Sequence, residues 1–288
     1  MPDSPKVRSD LLDYALEVEY FDMHLRRMIR SLEARNDLDN TLVVVTGDNA
    51  LSFPRCKANL YDLGTNVPLA IRWGDRIKVG RVVEDVVSLC DIAPTFMDVA
   101  GMTATNDMTG RNLLALLTSG KSGWIEPDRN HILTGRERVV EAQPAPSRAR
   151  YPMRAIRTRD FLYIHNFKPD RYPAGIEGGA GSGRQFPFDE MSFAPFLDMN
   201  ASPTKLYMMD HRDDPEVKPL FALAFGMRPA EEFYDLRKDP NQLKNVAGDP
   251  TYATVKSGLS NQLEAEMAAT RDPHASSERD IVDNYWND

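Results

Sequence analysis

Apolar residues recur every three to four positions over residues 10–34. This spacing predicts an amphipathic helix, which Ser9 or Asp10 would cap. The next apolar run, residues 41–46, is short, continuous and β-branched, a pattern typical of a strand that is buried on both faces of a parallel sheet. A helix that leads into such a strand indicates an α/β fold.

Further apolar runs predict two structural parts on either side of a linker. The polar segment 141–151, which contains Pro-Ala-Pro, is typical of a surface linker, and 168–205 has no regular pattern. We therefore predict an α/β part over 1–140 and a small α+β part over 141–288. The predicted strands are 67–73, 131–134, 153–158, 161–167 and 232–236, and the predicted helices are 92–100, 112–117 and 251–269.

Composition narrows the class of protein without naming a function. The chain has 288 residues, of which 42% are hydrophobic and 27% charged, with a net charge of −8. This composition supports a packed core, and the acidic balance argues against nucleic-acid binding. No apolar stretch approaches the roughly 20 residues that span a bilayer, so we expect no membrane segment. Two cysteines and five scattered histidines exclude a disulfide framework and make a zinc site improbable.

The strongest candidate chemistry follows the strand predicted over 41–46. Gly47, Asp48 and Asn49 come directly after it, and the carboxyl ends of strands in open α/β sheets are where ligands bind. A carboxylate beside a carboxamide offers oxygen ligands to calcium or magnesium. The same three residues also favour an ordinary turn, so the pattern alone leaves both interpretations open.

Lys57 follows eight residues after Asn49, and a lysine near a metal can bind an oxygen of a sulfate or phosphate group. Arg55 competes for this role, and a solvated loop lysine is the simpler interpretation. Cys56 lies between the two cations, which could lower its pKa, although a lone cysteine is more often a small buried hydrophobic residue.

The ordered set of segments resembles the carboxyl-terminal half of the sulfatase family in the alkaline-phosphatase superfamily, most closely the heparan N-sulfatase (sulfamidase) branch and its bacterial relatives. The matching pieces run along nearly the whole chain, and their order is more specific than any one of them. They are 9–14, 19–22, 39–49, 53–54, Lys57, 59–61, Gly64, 67–69, 91–95, Gly101, 109–114, 151–154, 234–236, 239–240 and Asn245.

The resemblance implies a fold, a reaction and three site residues. The fold would be the carboxyl-terminal part of a mixed-sheet α/β sandwich, followed by a small α+β domain with an antiparallel sheet. The reaction would be hydrolysis of a sulfate ester or N-sulfate on a sugar. Asp48 and Asn49 match ligands of the family's active-site calcium, and Lys57 matches its sulfate-binding basic residue.

Other features depart from the family's pattern. Sulfatases convert the cysteine or serine of a Cys-x-Pro/Ala-Ser-Arg motif to formylglycine, the nucleophile. Neither cysteine fits this motif, since Cys56 is followed by Lys-Ala-Asn-Leu and Cys90 by Asp-Ile-Ala-Pro. The sequence Pro146-Ser147-Arg148 matches the end of the motif, but the position that should hold the cysteine or serine is Pro144. Val139 and Val140 replace the histidine that sulfamidase-like sequences often carry in a substrate-contacting loop.

Three hypotheses about function therefore stay open. The first is a sulfatase whose amino-terminal, nucleophile-bearing half lies elsewhere, so that this chain alone is inactive and needs that half as a partner. The second is a non-catalytic module that binds carbohydrate or a protein partner. The third is a phosphatase or phosphonate hydrolase of the same superfamily. The family is usually periplasmic, extracellular or lysosomal, but the polar first ten residues do not predict a signal peptide.

Overall fold

Residues 1–137, 143, 149–177 and 196–275 are described by a computed structural model. Within these ranges the helices are α1 (Pro5–Ala34), α2 (Asp62–Thr65), α3 (Ile92–Val99), α4 (Leu114–Thr118), α5 (Pro203–Asp210), α6 (Lys218–Phe225) and α7 (Ala253–Ala269). The strands are β1 (Val43–Thr46), β2 (Leu69–Arg72), β3 (His131–Arg136), β4 (Met153–Thr158), β5 (Phe161–Asn166) and β6 (Glu231–Asp235). None of these helices combines the length and hydropathy that crossing a bilayer requires.

Helix α1 begins earlier than the sequence pattern predicts. Ser4 is the N-cap, its side chain accepts a hydrogen bond from the backbone N–H of Val7 at 3.3 Å, and Pro5 occupies the first turn. The prediction of a cap at Ser9 or Asp10 is therefore wrong, because a Ser-Pro pair is a stronger helix start than a polar residue before an apolar run. Val7 is the one residue of α1 that is buried among the described residues.

Strands β1 and β2 form a two-stranded antiparallel sheet, in which Val44 lies opposite Ile71. The expectation that β1 lies in a parallel sheet, buried on both faces, is wrong for this part of the chain, since its residues are only partly buried. The physical reason is the connection: a parallel neighbour needs a crossover, and the only helix between the strands, α2, has four residues. Beneath the sheet lies a core built from Trp73, Ile77, Leu113, Leu116 and Leu117.

The second sheet has the order β3-β4-β5-β6, and each pair is antiparallel. It confirms the predicted strands 153–158 and 161–167, which form a hairpin around Arg159-Asp160 with Ile156 opposite Tyr163. Both faces of the sheet are covered. One packs against Leu60, Tyr61 and Tyr151, and the other packs against Leu259, Leu263 and Met267 of α7.

The sheet includes strands from both sides of the predicted boundary at residue 140, because β3 lies before it and pairs with β4, which lies after it. The boundary between the two parts therefore stays a prediction. The structure differs from the sequence pattern over 196–225 as well. There α5 and α6 pack through Met208, Met209 and Phe225 in a segment for which the pattern predicts no helix.

Candidate functional site

Asp48 and Asn49 lie directly beyond the end of β1. The Asp48 side chain is exposed, and its Oδ1 accepts a hydrogen bond from the backbone N–H of Asn49 at 2.9 Å. This short-range bond is what the turn interpretation predicts. It leaves the second carboxylate oxygen of Asp48 available to a ligand on the surface.

The donor set of Asp48 and Asn49 fits calcium in chemistry but supplies only part of its shell. Calcium takes about 6–8 oxygen ligands, and these two side chains offer a carboxylate and a carboxamide oxygen. Within the residues that the structure describes, no group of three or more acidic, histidine or cysteine side chains is placed to hold a metal ion. Asp48 and Asn49 can therefore hold such an ion only together with ligands from elsewhere.

Lys57 lies in a loop with an unusual backbone. Its N–H donates to the carbonyl oxygen of Leu51 at 2.8 Å, and residues on both sides have positive φ angles, 65° at Arg55 and 70° at Ala58. Non-glycine residues in this left-handed region cost conformational energy and concentrate at functional sites. Among the described residues, no ion pair or side-chain hydrogen bond joins Lys57 to Asp48 or Asn49, so the structure does not link the three predicted residues.

The side chain of Asn59 connects the loop that carries Lys57 to a distant part of the chain. The Asn59 Nδ2 donates to the carbonyl oxygen of Lys57 at 3.0 Å and to that of Cys56 at 3.3 Å. Its Oδ1 accepts from Nη2 of Arg228 at 2.5 Å, a residue that is 7% exposed. A single carboxamide thus connects the Lys57 backbone to a buried guanidinium 169 residues away in sequence.

A buried carboxylate holds the end of the same loop. The hydroxyls of Tyr61 and Tyr234 both donate to Oε2 of Glu232 at 2.6 Å, and Nδ2 of Asn166 donates to its Oε1 at 2.9 Å. Burial raises the pKa of both tyrosines, so they stay protonated donors. The sequence pattern alone indicates no chemistry for the β6 stretch. The signal that could have found it is the alternation in β6, which puts acidic Glu232 on the face of Tyr234 rather than on the face of Phe233.

Cys56 does not fit the role of nucleophile. It is 1% exposed, its Sγ lies 3.6 Å from the carbonyl oxygen of Pro54, and burial raises its pKa to about 11. The positive charges of the amino terminus and of Arg55 lower the pKa of Cys56 but do not offset that burial. The interpretation of Cys56 as a small buried residue agrees with this placement, and no formylglycine chemistry can be derived from it.

Comparisons with known proteins show which family the chain resembles. Residues 2–102 match the protein-family model described as Sulfatase. Over these residues the chain is similar to the sulfatase family. The chain is also 28% identical over 285 residues to the human protein called N-sulphoglucosamine sulphohydrolase, covering 95% of this chain and 50% of that protein. An ulvan-active sulfatase of Formosa agariphila is 23% identical over 293 residues, covering 100% of this chain and 43% of the relative.

Solved structures show that the fold is shared as well. A structure described as being in complex with its substrate D-glucosamine-2-N,6-O-disulfate aligns over 88% of this chain and 40% of its own, with a TM-score of 0.59 and 22% identity. At that identity the likeness establishes the fold alone, and it confirms the α/β class. The chain spans about half the length, or less, of the curated relatives that match it.

Proposed function

We propose that this protein is the carboxyl-terminal portion of a sulfatase that removes sulfate from a sugar. The observation that carries the proposal is the alignment of almost the whole chain, in order, with sulfatases, one of them named for hydrolysis of N-sulphoglucosamine. An amino sugar that carries N-sulfate is therefore the substrate class to test. The printed substrate of the structural neighbour, a glucosamine disulfate, points to the same class.

Three side chains would act on the sulfate group. The ammonium of Lys57, which is unpaired in the described structure, would bind a sulfuryl oxygen and neutralise charge that grows on it in the transition state. Asp48 and Asn49 would contribute oxygen ligands to a calcium ion. When bound, that ion would supply electrostatic stabilisation to the same sulfuryl oxygens. The exposure of Asp48 supports a ligand position that another segment completes.

The nucleophile would come from polypeptide outside these 288 residues, either a preceding stretch or a separate chain. The burial and raised pKa of Cys56 support this, because a thiol of that kind is neither converted nor ionised readily. The relatives are about twice as long as the region that matches, which leaves room for such a segment. The protein of 288 residues alone is then expected to bind sulfated sugar weakly and not to turn it over.

Binding and turnover measurements on the purified protein test the proposal. Calorimetry with N-sulfoglucosamine and calcium should detect weak binding that Lys57→Ala abolishes, while Lys78→Ala, a change at an exposed loop lysine, leaves it unchanged. Calcium alone should bind weakly, with a dissociation constant of about a millimolar or above, because two of about 6–8 ligands are present. Asp48→Ala should remove that binding, and Asp75→Ala, at another exposed aspartate, should not.

Two outcomes would contradict the assignment. Turnover of N-sulfoglucosamine or an aryl sulfate by the chain alone, lost in Cys56→Ala, would make Cys56 a nucleophile after all. Equal sugar binding by Lys57→Ala and Lys78→Ala would show that Lys57 is not the sulfate-binding residue, and would favour a carbohydrate-binding module with its site elsewhere.

A further inference from the structure

The loop 51–61 is attached to the second sheet by several polar contacts. Arg228 bonds Asn59, Glu232 bonds Tyr61, and both come from the region of β6. The guanidinium of Arg55 donates to the carbonyl oxygens of Asn241 and Gln242 and lies 3.7 Å above the ring of Tyr61. The hydrogen bonds among these contacts join residues more than 160 positions apart, so the conformation of the loop depends on a distant part of the chain.

The contacts act where the loop needs support. Arg55 and Ala58, on either side of Lys57, have positive φ angles. Such backbone conformations are energetically unfavourable for these residues and persist only where surrounding contacts hold them. Asn59 bonds the Lys57 carbonyl directly, and it is in turn held by a guanidinium that is buried. Leu60 and Tyr61 then enter the core of the second sheet, which fixes the end of the loop.

We propose that Arg228 and Glu232 are positioning residues that hold Lys57 where it can bind the sulfate group of a sugar. Neither side chain is accessible to a substrate, since both are buried, at 7% and 3% exposure. Arg228 acts through Asn59 on the backbone of Lys57, and Glu232 acts through Tyr61 on the end of the loop. The assignment of sulfate binding to Lys57 rests on the proposed function, whereas the attachment of the loop does not.

Charged hydrogen bonds distinguish the contacts of Glu232 and Arg228 from ordinary packing. Two tyrosine hydroxyls and a carboxamide donate to Glu232, so both oxygens of the buried carboxylate accept hydrogen bonds from protein groups. Arg228 lies 5.2 Å from the centre of the Tyr61 ring, and the negative charge of Glu232 helps to keep the Arg228 guanidinium charged against the cost of burial. Hydrogen bonds of this charged kind are stronger and more directional than neutral ones, which suits a device that fixes one loop geometry.

Hydrogen exchange on the full chain tests the attachment. Arg228→Met and Glu232→Leu should each raise amide exchange at Lys57 and Asn59 by about tenfold to a hundredfold, since each loses charge-assisted hydrogen bonds. Protection across β4 and β5 should not change. Glu232→Gln keeps one acceptor oxygen and should restore most of the loop protection. Matched controls are Arg237→Met and Glu231→Leu, which alter neighbouring side chains that do not contact the loop.

Binding of N-sulfoglucosamine, measured on the same variants, separates the two proposals. Weaker binding in Arg228→Met and Glu232→Leu, restored in Glu232→Gln, is the expected result. Unchanged loop exchange in both variants, or an equal loss of protection in β4 and β5, would overturn the positioning role, because the residues would then be inert or merely structural. Loop exchange that rises while the wild-type chain binds no sulfated sugar would refute sulfate binding at Lys57 and leave the attachment of the loop standing.

Discussion

Gly64 lies so close to Cys56 that a β-carbon on Gly64 would stand 2.4 Å from the Cys56 carbonyl oxygen. The same atom would stand 2.5 Å from the carbonyl oxygen of Asn59, so the loop that carries Lys57 packs directly on a glycine of α2. Both neighbours are backbone atoms, which cannot rotate away as the end of a side chain can. The close approach is therefore a requirement of the loop conformation.

Gly64→Ala is expected to destabilise the protein by about 1–3 kcal/mol, the usual cost of forcing extra volume into a packed site. Urea unfolding of the wild type and the variant measures this difference. Gly258→Ala is the matched control, because no atom lies within 4 Å of the added β-carbon in the exposed middle of α7. That change should stabilise by about 0.5–1 kcal/mol through helix propensity. Equal effects at the two sites would show that Gly64 is not crowded.

The two thiols are expected to differ sharply in reactivity. Cys56 is buried with a pKa raised to about 11, whereas Cys90 is exposed. Since the thiolate is the reacting species, Cys56 should be alkylated by iodoacetamide at pH 8 at least about tenfold more slowly than Cys90. Mass spectrometry of tryptic peptides over time measures the two rates, and denatured protein should label both equally. Faster labelling at Cys56 would contradict its assignment as a structural residue.

Asp235 is expected to make stability fall as the pH is lowered. The Arg237 guanidinium, with nitrogens 2.8 and 2.9 Å from its oxygens, lowers the pKa of the Asp235 carboxyl to about 2. The unfolded chain takes up this proton near pH 4, about two units higher. The stabilisation is therefore complete above pH 4 and is lost as the pH falls towards 2.

Thermal melts of Asp235→Asn check this sign. The variant should melt below the wild type at pH 6, and the gap should narrow at pH 3. Asp160→Asn is the control, because Asp160 is 45% exposed and lies 3.8 Å from the same arginine, a geometry in which surface pairs contribute little. A gap that is constant with pH would mean that the Asp235 carboxylate does not stabilise the fold through its charge.

Arg129 is expected to be among the most sensitive positions of the first part. Its side chain is 3% exposed, and Nη1 lies 3.1 Å from the carboxylate of Asp91, which is also buried. Removing one partner of a buried ion pair leaves an uncompensated charge and costs about 3–5 kcal/mol. Arg129→Met should show a loss of that order in chemical denaturation. Arg111→Met changes an arginine that is 46% exposed and pairs with exposed Asp128, so it should cost less than about 1 kcal/mol.

The second sheet shows how much of this fold local sequence can specify. The hairpin around Arg159-Asp160, β6 and α7 are close to their predicted positions, because alternation and helical spacing reflect two covered faces and a helix packed on one of them. The helix predicted over 92–100 also agrees with α3, and Gly101 follows its C-cap with a φ of 71°. The pairing of β1 was not predictable, since an apolar β-branched run does not reveal the direction of its neighbour.

The candidate site likewise contains some residues that the sequence can predict and others that it cannot. Asp48, Asn49 and Lys57 could be proposed because Asp48 and Asn49 follow a predicted strand, and because the order of matching pieces along the chain resembles a known family. The roles of Arg228 and Glu232 could not be predicted, since their partners Asn59 and Tyr61 are more than 160 residues away. Nothing in a single sequence indicates such pairs except an acidic residue on the apolar face of a strand.

Helix α1 is expected to mediate association with other polypeptide. Its apolar side chains are widely exposed, with Leu12 at 70%, Leu16 at 63%, Phe21 at 54% and Met28 at 63%. Monomers rarely tolerate contiguous apolar patches beyond a few hundred Å². The helix is nevertheless fixed to the chain near its start, where the backbone N–H of Thr204 donates to Oδ2 of Asp10 at 2.9 Å.

Light scattering after size-exclusion chromatography checks the association. The wild-type chain should elute as dimers or larger species despite its charge of −8, and Leu16→Glu with Phe21→Glu should shift it towards the monomer. Far-UV circular dichroism should stay unchanged, since both side chains point into solvent and support no core. Met102→Glu, at a residue that is 57% exposed but lies outside α1, should leave association as it was. A monodisperse wild-type monomer would show that α1 needs no partner, and would favour an independent binding module over one portion of a larger sulfatase.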